Sequence, residues 1–125
     1  MKDVETPNAP KPLGPYTQGI VANGFVFVCG SVGVDPKTGQ VVSGGLVEQT
    51  KRAIENMKAI LEASGSSLEK VVKTTVYLKD AGSGKEMNQV YSSYFPGHKP
   101  VRSTVVVAFT GPDFLIEIDA IAVQG

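Results

Sequence analysis

The pair Asn23-Gly24 leaves this chain the least freedom, because it separates two apolar runs, Gly19 to Ala22 and Phe25 to Cys29. Both residues accept the positive φ of a type I′ turn, whose twist matches that of the strands it joins, so the segment is predicted to be an antiparallel hairpin. Before it, Met1 to Pro15 carries four prolines. Proline fixes φ and lacks the N–H, which predicts an extended arm and no helix. After it, Gly30 to Gly33 leaves the strand and Asp35-Pro36-Lys37-Thr38-Gly39 makes a turn. Gln40-Val41-Val42 reads as a short strand ahead of Gly44-Gly45.

From Leu46 the apolar period changes from two to 3.6. Leu46, Val47, Thr50, Ala53, Ile54, Met57, Ile60 and Leu61 share one stripe, and Gly65 suits the residue after the helix. Ser66 to Glu69 has the spacing of a capping box for a brief turn, and Val71 to Leu78 reads as a strand. Ser83 and Glu86 repeat the capping-box spacing ahead of a second amphipathic helix built on Met87, Val90, Tyr91 and Tyr94, which ends at Phe95-Pro96-Gly97. Two β-branched runs follow, broken at Gly111-Pro112-Asp113.

That order predicts an α+β fold in which two helices cover one face of a mixed sheet. Along the Arg102 strand, Ser103, Val105, Val107 and Phe109 alternate with Arg102, Thr104, Val106 and Ala108, and neither set is polar enough to face bulk water. Burial against copies of the same chain is the simplest cover, which predicts a homo-oligomer.

With 125 residues, 42% of them hydrophobic, the chain suits one domain spanning 1–125. Twelve basic residues balance twelve acidic ones, which argues against nucleic acid or an anionic membrane as main partner. One cysteine permits no internal disulfide. A polar start without a transit-peptide pattern and the lack of a spanning apolar run point to the cytosol, with the mitochondrion left open.

Two charges fall inside the last pair of predicted strands, Arg102 and Glu117. An unpaired buried charge costs several kcal/mol, so each needs a partner, water or a ligand. A structural ion pair and a ligand site are both open readings. If these strands form a simple hairpin, Arg102 faces a residue near Ile121 and Glu117 lies roughly 13 Å along at ~3.3 Å per residue. A small ligand fits between them, or adjacent subunits supply the two charges. Cys29 reads as a small hydrophobe with no neighbour to activate its thiol, and the single His98 reads as a turn residue. No companions stand at metal-ligand spacing, so no metal is expected. Gly82-Ser83-Gly84-Lys85 lacks the first glycine and the final Ser/Thr of a phosphate loop.

Taken together, Leu13 to Gly19, Asp35 to Gly39, Val71 to Leu78, Asn88 to Tyr91, Pro100 to Ser103 and Ile116 to Ala122 resemble the RidA/YjgF reactive intermediate deaminases. The resemblance implies a chorismate-mutase-like α+β domain assembled as a homotrimer, with sites in the clefts between subunits. It also implies hydrolysis of 2-imino acids, the enamine/imine products of pyridoxal-phosphate-dependent dehydratases, to 2-oxo acids and ammonia with no cofactor. By resemblance Arg102 holds the substrate carboxylate, Glu117 is the catalytic carboxylate, Tyr16 is the loop tyrosine, and Cys29, Gly30, Asn88 and Thr104 complete the substrate-binding set. The chain departs from the family where many members have Ser in place of Cys29, where several have Cys in place of Thr104, and at Phe109 to Pro112, where Arg-Leu-Pro is frequent. Two other readings stand beside deamination: an endoribonuclease that inhibits translation, and a carboxylate-binding or chaperone-like trimer without turnover.

Overall fold

The computed structural model describes all 125 residues. It contains strands β1 (Lys2–Val4), β2 (Gly19–Ala22) and β3 (Phe25–Val32), helix α1 (Gly45–Ala63), strand β4 (Val71–Leu78), helix α2 (Gly84–Tyr94), and strands β5 (Val101–Val106) and β6 (Ile116–Val123). The six strands form one sheet in the order β1-β2-β3-β6-β4-β5. Only β4 and β5 run parallel, joined by the α2 crossover; the other pairs are antiparallel. The α+β expectation of one mixed sheet with two helices holds.

The hairpin forms as its turn requires, with Asn23 at φ 52° and Gly24 at φ 80°, and pairs Ala22 with Phe25. The last strand to be made is the middle of the sheet: β6 inserts between β3 and β4, and Ile116, Ile118, Ala120 and Ala122 are all buried. Ala53, Ile54, Met57, Ile60 and Leu61 of α1 close over that row, as their spacing predicted. Fully burying one such aliphatic side chain contributes about 1.5–3 kcal/mol, so this one layer is the main source of stability.

Several local expectations are corrected. The amino-terminal arm is extended, but its first residues pair with β2 as an edge strand and send Val4 into the core. Gln40 to Val42 contributes only a single bridge, Val41 to Val34. Neither capping box forms: Ser66 donates its hydroxyl to the Val123 carbonyl at 2.7 Å, Ser67 is the residue that precedes the 3-10 turn (Leu68–Lys70), and neither Ser67 nor Ser83 ahead of α2 makes a side-chain capping bond. The last two strands are not a hairpin. β5 pairs in parallel with β4 at the sheet edge, Arg102 lying beside Thr74, and β4 separates it from β6. A strand entering from α2 on the same side as β4 can only be parallel to it, and apolar periodicity carries no information about that choice. All six residues of β5 are exposed in the single chain.

Candidate active site

Glu117 owes its setting to a fault in the sheet. Between the pairs Val28–Ala120 and Ser31–Ile118, two residues of β3, Cys29 and Gly30, stand opposite one residue of β6. This bulge bends β3 and leaves room beside the next residue along β6. Gly30 is required there, because a Cβ at that position would run into the Glu117 carboxylate. Glu117 lies on the face away from the helices, half-buried at the floor of a cavity of about 790 Å³ whose lining includes Tyr16, Cys29, Gly30 and Phe114.

Three loops wall this cavity, and a buried side-chain amide holds each of them. Gln18, 3% exposed, accepts from the Thr6 N–H at 2.7 Å and donates to the carbonyls of Thr6, Ala9 and Pro10, which fixes the proline-rich arm. Asn56 of α1 donates to the carbonyls of Val32 and Val34 at 3.0 and 2.9 Å, pinning the segment after β3. Gln49 of α1 donates to the Asp113 carbonyl and accepts from the Leu115 N–H, both at 2.9 Å, tying down the loop before β6. These amides matter because segments rich in Pro and Gly cannot satisfy their own backbone groups. Replacing Gln18 by leucine leaves an N–H and three carbonyls without partners, and should lower stability by about 1–3 kcal/mol. Urea denaturation measures the loss, and protease cleavage within residues 5–15 should become faster.

Arg102 and Glu117 do not meet within one chain. Arg102 shares the face of Thr74, a buried residue whose hydroxyl is 2.8 Å from the Tyr91 hydroxyl of α2, and the Arg102 guanidinium lies over the Tyr91 ring at 4.8 Å from its centroid. It is therefore on the helix side of the sheet edge, whereas Glu117 is on the open side. Asn88 and Lys99 line the same hollow as Arg102, with no acidic residue among its walls. Thr104 follows Arg102 on the same face of β5 and is exposed. The structure thus brings together Glu117, Tyr16, Cys29 and Gly30 in one group, and Arg102 and Asn88 in another. The intrachain ion pair is excluded, since the one ion pair in the chain joins Lys51 to Glu48.

Electrostatics distinguish the members of the first group. Burial, and then the neighbouring Asp119 charge, raise the Glu117 carboxyl above the usual carboxylate range. Burial and the Glu117 charge push the Cys29 thiol up to about 11, so at neutral pH it is a thiol and not a nucleophile. Tyr16 is more than half exposed, its hydroxyl 3.4 Å from the Leu13 N–H, which leaves that oxygen free to turn towards a ligand. His98, expected in a turn, follows the bend at Pro96-Gly97 and instead ties its ring to the Val71 carbonyl at 2.6 Å. Gln18, Gln49 and Asn56 escaped sequence reasoning because an amide among charged helix residues or after a proline run looks like solvated surface.

This arrangement is a cavity of small-ligand size on the open face of a single-sheet α+β protein, with a half-buried carboxyl among its walls. The endoribonuclease L-PSP family profile matches residues 6–124, and the chain belongs to that family, which is also the RidA/YjgF family. A RutC family protein of Pyrococcus horikoshii is 53% identical, with 98% of each chain covered. The 2-iminobutanoate/2-iminopropanoate deaminase of Mus musculus is 42% identical, over 99% of this chain and 92% of the mouse protein. Among solved structures, E. coli TdcF with bound serine superposes with a TM-score of 0.94 at 37% identity, and the E. coli YjgF gene product with 0.93 at 38%, each over the whole of both chains. No helix is long and apolar enough to cross a membrane.

Proposed function

We propose that this protein hydrolyses 2-imino acids to 2-oxo acids and ammonia, with Glu117 as the proton acceptor and Arg102 as the carboxylate clamp. The single observation that carries the reading is the state of these two charges: each is without a partner in the chain, and each lines a hollow of small-ligand size. A planar guanidinium already stacked on Tyr91 can present two parallel N–H donors to a substrate carboxylate. A carboxyl raised by burial takes a proton from water more readily than a solvated one does. Water then adds to the C=N carbon while Glu117 receives its proton. Starting from the protonated imine, the tetrahedral carbinolamine gains that proton on nitrogen, Glu117 takes the hydroxyl proton as the C=O forms and the C–N bond breaks, and the departing ammonia carries that proton away as ammonium. No group is consumed.

Because Arg102 and Glu117 lie on opposite faces of one sheet, a site that uses both needs the arginine of one copy beside the glutamate of another. The open face supports such an assembly: Phe25, Phe27, Val105 and Val123 are exposed there, an apolar patch that a lone chain would present to water. We therefore read the protein as a homotrimer with sites between subunits, Tyr16, Cys29 and Gly30 coming with the glutamate and Asn88 and Thr104 with the arginine. The deaminase name of the mouse relative, and the serine bound to TdcF, an amino acid with one carboxylate, support the same substrate class. RNA cleavage, which the family description carries, is less favoured because twelve basic residues are balanced by twelve acidic ones.

The deciding experiment follows 2-iminobutanoate, released in place by a pyridoxal-phosphate-dependent dehydratase, with and without this protein. Faster loss of the imine supports the reading. An unchanged rate together with saturable 2-oxo acid binding would replace it with a carboxylate-binding protein, and degradation of RNA under the same conditions with the ribonuclease.

A further inference from the structure

Tyr77 and Asp119 form a linked pair beside Glu117 that the proposed reaction has not yet used. In the sheet Tyr77 stands directly across from Glu117, and Thr75 across from Asp119, so all four point to the open face. The Tyr77 hydroxyl passes over its direct neighbour and donates diagonally to Asp119 Oδ2 at 2.9 Å. Asp119 is two residues from Glu117 on β6, a separation of roughly 6.6 Å at ~3.3 Å per residue, with both side chains on one face. Like charges that close make each other's ionisation costlier.

Within one chain no cation damps this repulsion, and in the proposed shared site the Arg102 of the neighbouring copy is engaged by the substrate carboxylate. Glu117 faces Cys29 from β3, Tyr77 from β4 and Asp119 along β6, while Lys11 and Tyr16 of the arm line the wider cavity. The nearest cation along β4, Lys73, sends its ammonium to the Thr75 hydroxyl at 3.3 Å, and makes no ion pair with either carboxylate. Of the two acids, only Asp119 has a protein hydrogen bond that favours its charged form. Burial and the Asp119 charge both raise Glu117, while the bond to Asp119 is the largest cause of the rise in Tyr77, which stays a donor throughout the neutral range.

We propose that Tyr77 and Asp119 are positioning residues for Glu117: the phenol fixes the Asp119 carboxylate as a standing negative charge on the same face, so that Glu117 holds the proton it takes from water until the departing nitrogen accepts it. This rests on the reading of Glu117 as the proton acceptor. It assigns the pair no contact with substrate. The pair acts on the acid-base balance of one group, and its signature is a shift along the pH axis.

The test uses the intact protein and the variants Asp119→Asn and Tyr77→Phe, with two readouts. Carbon-13 NMR of the side-chain carboxyls follows the titration of Glu117 directly, whatever the protein's reaction. The pH profile of kcat/KM for imine hydrolysis follows it through turnover. Removing the Asp119 charge should move the Glu117 titration to lower pH, and the acidic limb of the profile should move with it. Tyr77→Phe, which frees Asp119 to turn away, should move both in the same direction but less far. Asp119→Glu, which keeps the charge, should restore most of the parent position and shows that loss of fold is not the cause. A Glu117 titration at the same pH in all variants overturns the proposal, and so does a lower plateau rate with an unmoved limb, which is what a purely structural pair would give. If the NMR titration moves while Glu117→Gln retains full turnover, the electrostatic coupling stands and the reading of Glu117 as catalytic base falls.

Discussion

Glu117→Gln should leave a folded protein that still binds 2-oxo acids but turns imines over roughly 10²–10⁴ times more slowly, the usual contribution of a positioned proton acceptor. Glutamine keeps the size of the side chain at the floor of the cavity and removes both its charge and its basicity. Binding should survive because it depends on Arg102, which lies elsewhere in the chain. The same substitution makes a second, opposite prediction about stability. The Glu117 carboxyl is raised in the folded state, by burial first, so the folded protein favours its protonated form. Its contribution to stability is therefore fully present below the unfolded-state pKa and is lost as pH rises through the folded value. The glutamine variant should lack that loss and gain stability relative to the parent from weakly acidic to neutral pH, as urea unfolding at several pH values would measure. A structural carboxylate would show the reverse. Loss of stability at neutral pH with unchanged turnover would remove Glu117 from the mechanism.

Much of this was legible in the residues. Asn23-Gly24 specified its hairpin because the turn needs two positive φ values that few residue pairs accept, and the α1 stripe specified its buried face because a period of 3.6 has one structural meaning. Arg102 and Glu117 stood out because a charge in a β-branched run conflicts with its surroundings. What the residues could not convey was which strands become neighbours. Arg102 and Glu117 look like members of one hairpin, since a Gly-Pro-Asp turn separates their strands, yet β4 lies between them and they face opposite ways. Pairing is decided by the crossover of α2 and by the burial of β6 on both edges, which are properties of the assembled sheet. The Cys29-Gly30 bulge was hidden for a similar reason: it is a mismatch between two strands, and neither strand shows it alone.

The separation of the two charges makes the final prediction. Arg102→Ala removes two charge-assisted hydrogen bonds to the substrate carboxylate, each worth ~1.5–3 kcal/mol, so kcat/KM should fall by roughly 10²–10⁴ at 1.36 kcal/mol per decade. Binding of 2-oxo acids should be lost with it, unlike in Glu117→Gln. If each site takes its arginine from one copy and its glutamate from the next, the two inactive chains should restore activity when they are refolded together. In a closed ring of three, any mixed assembly contains one boundary where an intact Glu117 meets an intact Arg102. Three-quarters of randomly mixed rings are mixed, and one site in three of those is complete, so equal mixing should return about a quarter of the parent activity. Mixing the folded variants without unfolding should return little, because the rings are already closed. Light scattering of the parent supplies the stoichiometry on which this fraction depends. No recovery after co-refolding, in mixtures shown by mass spectrometry of tagged chains to contain both variants, would mean that each site draws both charges from a single chain. That outcome would require β5 to rearrange on binding, and the shared site would have to be abandoned.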